Sequence, residues 1–156
     1  MSGIINLTGS RSSVVGVAKL VSPTFTEDSA FTGGITEKVG TASATGTTIT
    51  VDLDTGNFFI ADLEGVSGNV VTFTISNINA TSNQVSNFVL KIIQGTSTTT
   101  RAITWASVVS NGTNIDWAGG SGPDITTGDD KVDILAFTSL DNGTTWYGTI
   151  VGQDFS

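Results

Sequence analysis

Apolar and polar residues alternate one by one along several stretches of this chain, and no long stretch shows helical spacing. Ile49, Val51 and Leu53 alternate with Thr48, Thr50 and Asp52. Val71, Phe73 and Ile75 alternate with Thr72, Thr74 and Ser76, and Phe88, Leu90 and Ile92 do the same around Lys91. A period of two puts successive side chains on opposite faces, so each stretch predicts a strand with one face toward a core. Further runs lie at Ala102 to Trp105, Asn114 to Trp117, Val132 to Phe137 and Thr145 to Val151. Turn residues separate them. Asp54-Thr55-Gly56-Asn57 precedes the run Phe58 to Leu63, and Asp141-Asn142-Gly143 joins the last two runs, where Asn and Gly accept the positive φ of a tight hairpin. Roughly eight or nine short strands with turns between them predict an all-β fold, an antiparallel β-sandwich of jelly-roll type.

The length of 156 residues suits one domain with a terminal arm. Residues 1 to about 33 break the alternation. Apolar pairs (Ile4-Ile5, Val14-Val15, Leu20-Val21) are separated by Gly and Ser with no sustained period, so this segment has no face to bury on itself. It is expected to be an extended N-terminal assembly arm, residues 1–33, held against a neighbouring subunit or a partner, with the β-sandwich at residues 34–156. The N-terminus lacks the basic start and apolar run of a secretory signal, and Val14 to Val21 is too short to span a bilayer. The Asn-x-Thr triplets at Asn6, Asn79, Asn111 and Asn142 follow from a composition rich in Asn and Thr. No repeat of solenoid or propeller period is evident.

Composition excludes several kinds of function. There is no cysteine and no histidine, which removes disulfides, thiol nucleophiles, imidazole bases and most transition-metal sites. Six Lys and Arg against 14 Asp and Glu give a net charge of −8, and the cations are scattered, so nucleic acid is not an expected partner. The Gly-rich stretch Ala118 to Pro123 has no following Lys-Ser/Thr and opens no helix, so it is not a phosphate-binding loop.

Three constellations remain as candidate chemistry. Asp52 with Asp54, and Asp62 with Glu64, are carboxylates two apart that share a face on a strand, the pairing a glycoside hydrolase needs at the right separation. Their plainer reading is a solvated face beside turns. Asp116, Asp124, Asp129, Asp130 and Asp133 surround the Gly-rich loop, and oxygen-rich loops suit a hard cation such as calcium, although the spacing is not that of an EF-hand. Acidic loops are more often simply hydrated, and no metal or other cofactor is expected. Trp105, Trp117, Trp146 and Tyr147 could stack on sugar rings, but aromatic residues in strands more often anchor a core or an interface. Trp146 and Tyr147 are adjacent, so on a strand they face opposite ways.

The second half carries a pattern of its own: Ile103-Thr104-Trp105, Ile115-Asp116-Trp117-Ala118-Gly119-Gly120, Pro123-Asp124-Ile125-Thr126, Lys131 to Phe137, and Asp141-Asn142-Gly143-Thr144-Thr145-Trp146-Tyr147-Gly148. This resembles the C-terminal β-domains of fibre and other small virion structural proteins of tailed bacteriophages, marine ones especially, over about residues 46–156. The resemblance implies no catalytic residues. It implies a surface component of the virion, made in the host cytoplasm, that forms homo-oligomers, commonly trimers, and joins other capsid or tail proteins. Two positions fit, a short fibre or tail accessory that touches host glycans, or a capsid decoration (cement) protein. A carbohydrate-binding module is the alternative from another class.

Overall fold

The computed structural model describes residues 36–70, 72–78, 85–96, 101–105 and 114–155, which fall in a compact unit, Thr36–Ser156. The expected arm at residues 1–33 lies outside the described residues. Among the described residues there are nine strands: β1 (Val39–Thr41), β2 (Ser43–Thr45), β3 (Thr48–Asp52), β4 (Phe58–Asp62), β5 (Thr72–Ser76), β6 (Ser86–Ile93), β7 (Asn114–Trp117), β8 (Val132–Ser139) and β9 (Thr145–Phe155). They build a six-stranded sheet, ordered β1-β4-β6-β8-β9-β7, and a three-stranded sheet, ordered β2-β3-β5. The all-β class is therefore the one the alternation predicts.

The pairing is mixed rather than wholly antiparallel, which corrects the jelly-roll expectation. β1 with β4, β4 with β6, β3 with β5 and β7 with β9 are parallel. For β3 with β5 and β4 with β6 the cause lies in the turns. After β3 and again after β4 the chain makes a single 3-10 turn, Leu53–Thr55 and Leu63–Gly65. Each turn is opened by an aspartate whose carboxylate accepts a backbone N–H two residues on: Asp52 from Asp54 at 3.1 Å, Asp62 from Glu64 at 2.9 Å. These turns lead away from the sheet the chain has just left instead of folding it back beside itself. Consecutive strands β3, β4, β5 and β6 thus alternate between the two sheets. Neighbours within a sheet are then two strands apart in sequence and run the same way, as parallel pairing requires. In sequence, Asp54 to Asn57 has the length and composition of a hairpin loop, so the two outcomes look alike there.

The expected hairpin appears between β8 and β9. β6 pairs antiparallel with β8, and β8 with β9. Asn142 (φ 60°) and Gly143 (φ 78°) both take the positive φ of a tight turn, closed by Thr144 N–H donating to the Asp141 carbonyl. Ala102 to Trp105 is not a strand; it makes one parallel bridge, Ile103 beside Val70.

The core lies between the inner faces. Ile49 and Val51 from β3, and Phe73 and Ile75 from β5, meet Phe59, Phe88, Leu90, Leu135, Phe137 and Trp146 from the large sheet. Phe88 and Phe137 stack at 4.7 Å between ring centroids, and Trp146 meets Phe88 edge-on at 5.3 Å. Three strands cannot cover six. Trp105, Ile125 and Trp117 pack against the same core where the small sheet is lacking, and Trp105 Nε1 donates to the Pro123 carbonyl at 2.7 Å. The Gly-rich stretch is therefore the start of a cover for the core, with Ile125 its buried plug.

Candidate functional site

The paired carboxylates do structural work. Asp52 and Asp62 are the caps of the 3-10 turns, and Asp52 also accepts from Asn77 Nδ2 at 2.7 Å. The Glu64 carboxylate holds the next loop through Thr96, accepting from its N–H at 2.7 Å and its hydroxyl at 3.2 Å.

The five aspartates around the loop are scattered. Asp133 is buried at 2% exposure, and amide donors fill its carboxylate: Thr126 N–H at 2.6 Å, Asp154 N–H at 3.0 Å and Gln153 Nε2 at 3.3 Å. It ties the cover to the end of β9. Asp116, Asp124, Asp129 and Asp130 are exposed. Among the described residues no three His, Cys, Asp or Glu side chains gather into a group able to hold a metal.

The aromatic set divides in the same way. Trp105 and Trp146 belong to the core. Trp117 is half-buried and lies edge-on to Trp105 and Phe137, in a seat that exists because its neighbour on β9 is Gly148, whose missing Cβ would stand 2.6 Å from the indole ring. Tyr147 alone of the four stands outward, 52% exposed. A three-tryptophan sugar platform is not formed.

Two residues with no sequence signal carry much of the internal polar bonding. Arg101 is buried at 5% exposure with carbonyls as its partners: Val66 at 2.7 Å from Nε, Gln94 at 3.2 Å and Glu64 at 3.4 Å from the terminal nitrogens. The Gln94 side chain in turn pairs with the backbone of Arg101, donating to its carbonyl at 2.6 Å and accepting from its N–H at 3.2 Å. Isolated cations in a sequence of this kind read as solvated, which is why Arg101 gave no warning.

What remains unaccounted for is a surface. The outward side chains of the small sheet form rows of hydroxyls, Ser43-Thr50-Thr74 and Thr45-Thr48-Thr72, each aligned by strand register. The outward side chains of the large sheet do the opposite. Val39, Phe58, Val89 and Ala136 lie side by side across four strands, and Ile60, Lys91 and Ile134 form the next row. A third row runs Ile93, Val132, Phe155. Val39, Phe58, Tyr147 and Phe155 are between 40% and 57% exposed. Shallow grooves of about 470, 370 and 230 Å³ lie along this face, with Tyr147 and Ala136 in the first, Lys91 and Phe155 in the second, and Phe58 and Val89 in the third. Alternation marked these strands but could not mark this face. On β4, β6 and β8 the residues between the core positions are themselves mostly apolar. Large exposed apolar patches mark interaction surfaces.

No protein-family model, curated protein or solved structure matches this chain. No helix among the described residues is long and apolar enough to cross a membrane.

Proposed function

We propose that the protein is a non-enzymatic structural component of a tailed-phage virion, a short fibre or tail accessory or a capsid decoration protein, attached through residues 1–33 and working by assembly. The observation that carries this reading is the contrast between the two outer faces, hydroxyl rows on one and an apolar sheet on the other, in a chain of net charge −8. The motif residues Trp105, Trp117, Phe137 and Trp146, on which the resemblance to phage β-domains rests, serve the core or pack against it, with Trp117 also lining the shallow groove beside Tyr147, which suits a domain selected for shape and association. Partners are then further copies of the chain, as a homo-oligomer and commonly a trimer, together with neighbouring capsid or tail proteins. The position is the virion surface.

Quantitative peptide mass spectrometry on purified particles tests this against the major capsid protein. A ratio near one per capsid subunit, or a fixed sizeable fraction of it, identifies a decoration protein. A small count matching tail symmetry identifies a fibre or tail component. Absence from the particle removes the reading. A host glycan touched by the same domain, or the alternative of a carbohydrate-binding module, rests on Tyr147 as the outward aromatic, and loss of glycan-array binding in Tyr147→Ala is its test.

A further inference from the structure

We infer that the outer face of the six-stranded sheet is a self-association surface, and that its occupant is the same face or flank of another copy of this chain. The inference deepens the reading of the chain as an assembly protein and rests on it.

Size is the first argument. Six strands about 4.8 Å apart and about six or seven residues long, at about 3.3 Å per residue, make a sheet on the order of 600 Å² before side-chain relief is added. That approaches the roughly 800 Å² each partner contributes to a stable interface. Sheets pack face to face about 10 Å apart through such side chains, which is how the small sheet already covers the inner side.

Charge is the second. A chain of net charge −8 repels its own copies, and repulsion is least where carboxylates are absent. The centre of this face, formed by Phe58, Ile60, Val89, Lys91, Ile134 and Ala136, has one charge, and it is positive. Carboxylates flank it: Glu37 borders the groove of Phe58 and Val89, Asp130 borders that of Lys91, Asp62 heads the row of Ile93 and Val132, and Asp116 stands beside Tyr147. Lys91 is half-buried between Ile60 and Ile134 with Asp130 at the edge of its groove, so a partner that covers it must leave that carboxylate in reach or bring another. A second copy brings its marginal carboxylates with it and can supply the counter-charge. A cationic partner would not supply that counter-charge, and nucleic acid is repelled by a chain of net charge −8.

Sedimentation velocity on the full chain tests the inference. The wild-type protein is expected as a dimer or trimer in the micromolar range. Ala136→Glu places a carboxylate at the centre of the face on an outward position, and it is expected to weaken association at least ten-fold with the near-ultraviolet circular dichroism of the buried tryptophans unchanged. Thr50→Glu, on the hydroxyl face, is expected to assemble like the wild type. Should Ala136→Glu lose its dichroism, Phe58→Lys, at a position already 40% exposed, decides the matter instead. A wild-type monomer throughout that range overturns the inference and leaves the face to the chain's own N-terminal residues or to a foreign partner. So does a folded face variant that assembles like the wild type, or a Thr50→Glu that dissociates as readily. Self-association of a protein that is missing from particles would remove the virion reading and leave this surface standing.

Discussion

Asp141 shows how much of this chain's acidity is local engineering. Its carboxylate accepts from the Thr145 N–H at 2.8 Å and from the Ser139 hydroxyl at 2.9 Å, bracing the β8–β9 turn. The Thr145 backbone donor is the largest influence and holds the carboxyl below its usual range. A group whose folded-state pKa is depressed contributes stability above its unfolded value and loses it as pH falls through the folded one. Unfolding midpoints measured below about pH 4 should therefore decline in the wild type, and Asp141→Asn should flatten that part of the profile. At this scale the sequence was partly legible: Asp-Asn-Gly announced the turn, but nothing in it announced Arg101. Arg101→Met would leave the Val66, Gln94 and Glu64 carbonyls without their donor inside the protein. The expected cost is about 3 kcal/mol, read from urea denaturation.

At the scale of elements, strand existence was plain and strand partnership was not. Alternation in Thr48 to Asp52 and Thr72 to Ser76 follows from one face being buried, and burial is the same whether a neighbour runs parallel or antiparallel. The direction was decided in three-residue 3-10 turns whose Asp-Leu-Asp and Asp-Leu-Glu signatures also read as paired acids. Their capping role has a direct consequence. Asp52→Ala and Asp62→Ala should each lower stability by about 1 kcal/mol in thermal or urea unfolding, because each removes the acceptor that opens its turn. Asp54→Asn, by contrast, should be near neutral, since the Asp54 contribution to the turn is its backbone N–H. Paired catalytic acids would respond the other way round, through activity and at both members of a pair.

For the whole molecule, the decisive property is the difference between its two outer faces, and it was half visible in the sequence. The hydroxyl face could be read from Thr48, Thr50, Thr72 and Thr74, which sit between core residues as a water-facing strand demands. The apolar face could not, because Val89, Ile93, Ile134 and Ala136 merge with their inward neighbours into nearly continuous apolar runs. Such runs are also what a strand buried on both sides shows. Only the register, which brings Val39, Phe58, Val89 and Ala136 into one row, reveals a continuous apolar surface. Side-chain footprinting by hydroxyl radicals, on the assembled full-length protein and on the Ala136→Glu variant, tests this most directly. Phe58, Tyr147 and Phe155 should be protected in the assembled protein and labelled in the variant, while Phe59 and Trp146, buried in the core, should stay protected in both. Equal labelling of Phe58, Tyr147 and Phe155 in the two proteins would contradict the account.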